Sequence, residues 1–184
     1  MSALLRGDGL ALVRGGQLLF ENLNLMLEPG DALHVSGPNG SGKSSLIRLV
    51  AGLLQPNAGK VERAEAALAD EGLALDRELP LGRALSFWNG PRLAQAMAAF
   101  ALDGLVKVPV RLLSTGQAKR ARLARVMASG APLWLLDEPL NGLDRAGIEE
   151  LDSAIADHRA GGGAVLAASH IPLNGEWRRL ELGE

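Results

Sequence analysis

The sequence predicts an α/β protein built on a parallel sheet, with an antiparallel β subdomain at its N-terminus and a small helical insertion. Three stretches carry that prediction. Residues 37–45, GPNGSGKSS, fit the pattern G-x-x-x-x-G-K-[ST] and stand between a short apolar strand candidate, DALHVS, and a run at helical spacing. Residues 133–136, LWLL, form a continuous apolar run of the kind a parallel sheet buries on both faces, and the run ends in Asp137 and Glu138. Residues 1–30 carry short apolar segments separated by glycine turns, the pattern of a β meander.

Within the loop, Gly37, Gly40 and Gly42 leave the backbone free to curl, so that successive N–H groups point inward and a phosphate can replace water as their partner. Pro38, Asn39, Ser41 and Ser45 complete the nucleotide-binding stretch. Lys43 adds a point charge for the outer phosphates, and Ser44 offers the hydroxyl that such loops use to hold Mg²⁺. Behind them Leu46, Ile47, Leu49, Val50, Leu53 and Leu54 recur at helical spacing, so the loop opens a helix whose N-terminus faces the phosphates. A plain glycine-rich turn would not need a strand before it and a helix after it.

Composition limits the alternatives. A chain of 184 residues suits one domain with a real core, and a formal net charge of −2 gives no pull toward nucleic acid. Cysteine is absent, which removes disulfides, thiolate catalysis and Cys-ligated metal. No apolar run approaches the roughly 18 residues of a membrane helix, and the N-terminus lacks the regions of a signal peptide, so a soluble cytoplasmic chain is expected.

In order along the chain, LALV and QLLF flank Gly15 and Gly16 as a hairpin, and Leu23, Leu25 and Leu27 alternate with polar or exposed positions up to the turn at Pro29 and Gly30. QPNAGK is a turn, after which Val61 begins an edge strand. From Glu62 to Lys107 the chain is rich in Ala and Leu, shows no strong strand signal, and carries a helix over 91–102 with Pro91 in its first turn. Phe87 and Trp88 before that helix are expected in packing. A second helix starts in LSTGQAKRARLARVMA: Ser114 can cap it, Gly116 permits close backbone approach, and Ala118, Ala121, Ala124 and Met127 oppose a basic side of Lys119, Arg122 and Arg125. Alone, that reads as a capped surface helix with a solvated basic face, though its N-terminus is competent to meet an anion.

The acidic end of the apolar strand decides between these. Asp137 would hold Mg²⁺ directly or through a water, and Glu138 would orient or deprotonate the attacking water.

GPNGSGKSS, LSTGQ, LLDEP, the Leu143–Asp144 pair and His170 after AVLAAS stand in the order seen in the ATP-binding-cassette ATPases, which the chain resembles over essentially its whole length. The resemblance implies a P-loop NTPase fold with a RecA-like parallel core. Residues 1–61 and 108–184 would form the core with its β subdomain, and 62–107 the helical insertion. It further implies a homodimer that sandwiches two ATP molecules, with Ser114, Gly116 and Gln117 meeting the γ-phosphate held by the partner subunit. His170 would contact the γ-phosphate of its own subunit beside Lys43 and Glu138, and Asp144 would link the two sites at the dimer seam. Within the family, VPVRLLSTGQAKRARLAR, ELPLGRALSFW and HIPLNGEWRRLEL resemble the ATP-binding subunits of the haem exporters of cytochrome c maturation. That likeness implies multi-spanning membrane partners, a peripheral place on the cytoplasmic face of the inner membrane, and ATP hydrolysis coupled to haem export.

Two departures from the family stand out. No Gln occurs between Val61 and Phe87, where the family has one that reaches Mg²⁺, and Glu71 is the nearest substitute. The aromatic that stacks on adenine is replaced by Arg14, whose guanidinium plane could lie on the base. A transporter subunit for another cargo, a soluble non-transport ATPase of the same fold and a low-turnover regulatory subunit are the rival readings.

Overall fold

The computed structural model describes residues 3–71, 75–86 and 92–183 of the chain. Strand β1 (Leu5–Arg14) and strand β2 (Gln17–Leu27) form an antiparallel hairpin whose two turn residues, Gly15 and Gly16, both have positive φ, as a two-residue turn matched to strand twist demands. Leu25 and Leu27 are buried and Asn22, Asn24 and Met26 exposed, the alternation expected from the sequence. QLLF and the later leucines, however, belong to one continuous strand, irregular where Asn22 takes a φ of 49°. Strand β4 (Ala58–Arg63) pairs with the other side of β1 and starts three residues before the expected Val61.

The second sheet is parallel throughout, in the order β5–β6–β7–β3–β8, with β3 at Ala32–Ser36, β5 at Ala66–Ala69, β6 at Leu133–Asp137, β7 at Ala164–Ala168 and β8 at Arg178–Glu181. It separates two apolar clusters. Leu133 and Leu135 of β6 face one cluster, shared with helix α1 (Lys43–Val50) and the antiparallel sheet. Trp134 and Leu136 face the other, shared with helices α2 (Leu81–Ser86), α3 (Leu93–Ala99), α4 (Thr115–Ser129) and α5 (Arg145–Ala160). Burial on both faces is why the run shows no polar alternation.

The structure corrects four expectations. The stretch read as strand-free begins with β5, in register with β6 from Ala66↔Leu133 to Ala69↔Leu136; three alanines in four residues carry little intrinsic strand preference, and pairing decides. Helix α1 stops at Val50, followed by Gly52 at a φ of 82°, so Leu53 and Leu54 lie beyond it and Leu53 is exposed. The helix expected over 91–102 is described only from Leu93 to Ala99; Phe100 and Leu102 are fully buried just after it. The basic side of α4 is not solvated, since Lys119 and Arg125 are buried. Phe87, Trp88 and Pro91 lie outside the described residues.

Because Leu135 is fully buried on an interior strand of the sheet, Leu135→Ala should destabilise the chain by roughly 2–5 kcal/mol. Equilibrium urea unfolding with an unchanged m-value would measure it.

Candidate nucleotide site

Strand β3 delivers the chain to the loop at the carboxyl edge of the parallel sheet, and α1 begins where the loop ends. Gly37 takes a φ of 140°, and a side chain there would run into the carbonyl of Leu182, so only glycine lets the loop pass. Gly42 precedes α1 with no side chain capping it, which leaves the first N–H groups of the helix free for an anion. Lys43 is buried, its Nζ donating to the carbonyls of Gly37 (2.8 Å) and Pro38 (3.0 Å), so its charge is arched over the loop. The hydroxyl of Ser41 is buried without a hydrogen-bond partner in the same loop.

A cleft of about 460 Å³ opens over these groups. Asn39, Gly40, Gly42, Lys43, Ser44 and Ser45 line its phosphate side, Glu138 another wall, and Arg14 and Leu19 the rim. Arg14 is exposed there, with Nη1 donating to Ser45 Oγ at 3.4 Å.

Ser44 Oγ donates to Asp137 Oδ1 at 2.9 Å, joining the loop to the end of β6. Burial is the main force pushing the Asp137 carboxyl above its ordinary pKa; Glu138 and Asp70 add to it, while the Ser44 hydrogen bond and Arg48 oppose it. A buried carboxylate held at such cost is one that a cation would relieve. The pair also suits Mg²⁺ in kind, as two hard oxygen donors that leave the remaining positions to water and phosphate oxygens. Among the described residues no three His, Cys, Asp or Glu gather into a metal-binding cluster.

Next along the chain, Glu138 has a φ of 46°, a left-handed conformation that costs a non-glycine residue on the order of 1–3 kcal/mol. Its surroundings enforce it. The Glu138 N–H donates to the Ala168 carbonyl at 2.8 Å, its Oε2 lies 2.8 Å from His170 Nδ1, and its carbonyl accepts from Lys119 Nζ at 2.7 Å. His170 itself, two residues past the end of β7, is half exposed. In the strand paired with β7, the buried His34 of β3 sets its Nε2 3.0 Å from the carbonyl of Ser169.

The start of α4 is a complete capping box. Ser114 Oγ accepts from the Gln117 N–H at 3.2 Å, and Gln117 Oε1 accepts from the Ser114 N–H at 2.9 Å, which leaves the amide NH₂ of Gln117 free to donate. A Cβ on Gly116 would lie 3.2 Å from the carbonyl of Gly142, so the chain at Gly142 crosses close to it. Ser114, Gly116 and Gln117 line no part of the cleft over their own phosphate loop. Asp144 caps α5, with Oδ1 accepting from the Gly147 N–H at 2.9 Å. Glu71 is exposed in a second cleft of about 560 Å³ with Arg77, Arg111, Lys119 and Arg122, apart from Ser44 and Asp137.

Sequence reasoning placed Lys119 on a solvated face and passed over His34. For Lys119 the missing information was its acceptor, 19 residues away on another element. Burial pushes its ammonium below the ordinary lysine pKa, Arg122 acts the same way, and Glu71, Asp137 and Glu138 oppose them.

A glycine-framed phosphate cradle backed by a strand-end carboxylate on a parallel sheet defines the class as a phosphate-loop nucleoside triphosphatase. The ABC transporter family model matches residues 20–141, and the chain belongs to that family, as one of its ATP-hydrolysing subunits. It is 58% identical, over 94% of its own length and 93% of the relative's, to the cytochrome c biogenesis ATP-binding export protein CcmA of Sphingopyxis alaskensis. To the CcmA of Novosphingobium aromaticivorans it is 59% identical over 89% of this chain and 87% of the other. A solved ATP-binding subunit of an ABC transporter superposes with a TM-score of 0.81 over 91% of this chain and 80% of that one, at 24% identity, a likeness of fold alone. No helix among the described residues is long and apolar enough to cross a membrane.

Arg14 stands at the cleft rim, where its guanidinium offers a planar cation. Arg14→Ala should weaken ATP binding while leaving thermal unfolding unchanged; a titration showing the parent's affinity would remove Arg14 from the site.

Proposed function

We propose that this chain is the ATP-hydrolysing subunit of the exporter that serves c-type cytochrome biogenesis, with haem as the cargo. It works as a homodimer on multi-spanning membrane subunits at the cytoplasmic face of the inner membrane. The observation that carries the enzymatic part is the adjacency of two contacts at the end of β6: Ser44 with Asp137, and Glu138 with His170. The first is a site for Mg²⁺ and the second a carboxylate aimed by an imidazole. The likeness to the CcmA export proteins supports the biogenesis part.

In this reading the triphosphate takes the loop N–H groups, and the Lys43 ammonium exchanges the carbonyls of Gly37 and Pro38 for phosphate oxygens, a stronger, charge-assisted partner. Ser44 and Asp137 would hold Mg²⁺, which when bound would neutralise charge on the outer phosphates. Glu138 Oε2 orients the attacking water and takes up its proton. His170 keeps that oxygen in place through Nδ1 and leaves Nε2 to meet the γ-phosphate. From across the dimer, Ser114, Gly116 and Gln117 of the partner subunit would close on the same phosphate with a helix N-terminus and the free amide donors of the capping glutamine. Closure of the two subunits on ATP is then the power stroke, and hydrolysis at Glu138 reopens them. Asp144, already the cap of α5, lies at the seam. Arg14 takes the adenine side.

Gentle solubilisation of source membranes and isolation of the tagged chain tests the assignment. Small multi-spanning subunits of the cytochrome c maturation system, with haem absorbance, are expected; a different permease would replace the cargo, and no membrane protein would overturn the exporter reading. For the chemistry, Glu138→Gln should lower turnover by about 10²- to 10⁴-fold while trapping a Mg·ATP dimer, detected by size-exclusion chromatography. An ATP-bound monomer in that variant would contradict the mechanism.

A further inference from the structure

We infer that Lys119 is a positioning residue for hydrolysis, holding the main chain of Glu138 from α4 and so fixing where the Glu138 carboxylate stands. The inference rests on the reading of Glu138 as the base. The contact is direct: Lys119 Nζ donates to the Glu138 carbonyl at 2.7 Å, and the Asn141 N–H, 3.3 Å away, shares that oxygen from within the same turn. Glu138 sits at a φ of 46°, which a glutamate leaves unless it is held. Of its tethers, the N–H to Ala168 and the carboxylate to His170 both run to β7 and the residues after it. The Lys119 ammonium is the one that reaches it from a different layer of the fold.

The type of side chain used points the same way. Lys119 is 5% exposed, and burying an ammonium against a neutral carbonyl is a poor way to fill space. A methionine would fill it as well. What the ammonium adds is a charge-assisted hydrogen bond on one backbone atom, next to the residue whose side-chain position sets the rate. The charged groups around it are Arg122 on α4, Glu71 after β5, Asp137 at the end of β6 and Glu138 just after it. Lys119 also stands in the second turn of the helix that begins at Ser114 and Gly116. In the proposed dimer, the helix end that meets the partner's nucleotide is therefore rigidly joined to the tether on this subunit's base.

The test compares Lys119→Met, which keeps length and removes the donor, with Lys119→Arg, which keeps a cationic donor. Both are measured as the full chain with its co-isolated membrane subunits and Mg·ATP. Lys119→Met should lower kcat about ten- to a hundredfold, with KM within about twofold of the parent, and Lys119→Arg should recover most of the loss. In the Glu138→Gln background, adding Lys119→Met should cause no further loss, because Lys119 acts through Glu138. Parent-like kcat in Lys119→Met, KM rising in step with the fall in kcat, an arginine variant as impaired as the methionine one, or an additive loss in the double variant would each overturn the inference. Should Lys119→Met fail to fold, Lys119→Leu takes its place as the variant without a donor: a roughly tenfold or greater fall in kcat at unchanged KM supports the tether and a parent-like kcat sinks it. If Glu138→Gln itself keeps full turnover, the assignment of the base fails instead, independently of Lys119.

Discussion

The hydrogen bond between Ser44 and Asp137 is the constraint on which the rest of the arrangement depends. It brings the first turn of α1 against the end of β6 and places a loop built to hold anions beside a buried carboxylate. Neither partner is comfortable alone. The loop leaves helix N–H groups without protein acceptors, and Asp137 is pressed toward its neutral form by desolvation. A metal–triphosphate complex bound as proposed would satisfy both at once, with phosphate oxygens for the N–H groups and a cation for the carboxylate. The free protein is thus organised around complementary deficits.

The sheet supplies the rigidity that this needs. Because β6 and β7 are buried on both faces, their carboxyl ends cannot shift without disturbing two apolar clusters at once. Asp137, Glu138 and the Ser169–His170 segment all sit at those ends, with His34 of the neighbouring β3 bracing the carbonyl of Ser169. On the far side, α4 is buried along most of its length, with Lys119 satisfied by the Glu138 carbonyl and Arg125 by the Leu68 carbonyl. Basic side chains that a helical wheel assigns to solvent serve here as bolts between layers.

What could be read beforehand follows from range. The phosphate loop, the hairpin at Gly15–Gly16, the apolar β6 run and the Ser114 cap are local patterns, each written within a dozen residues, and each is found in the structure. Features set by distant partners were not legible. Ala66–Ala69 is a strand because β6 accepts it, and Lys119 is buried because a carbonyl on another element awaits it. Nothing local announces the left-handed backbone of Glu138 either. The second-subunit roles of Ser114, Gly116 and Gln117 came only through family resemblance, since within one chain those residues cap a helix and line no cleft over their own loop.

With Glu138 as the proposed base, its backbone also sets stability against activity at one position. Glycine adopts a φ near 46° freely, and asparagine nearly so, whereas glutamate holds it under strain. A sequence selected for folding alone would drift toward those smaller residues and lose its acidic oxygen. Retaining glutamate there is a standing trade-off, and screens that rank variants of this chain by thermal tolerance will tend to discard its capacity for turnover first.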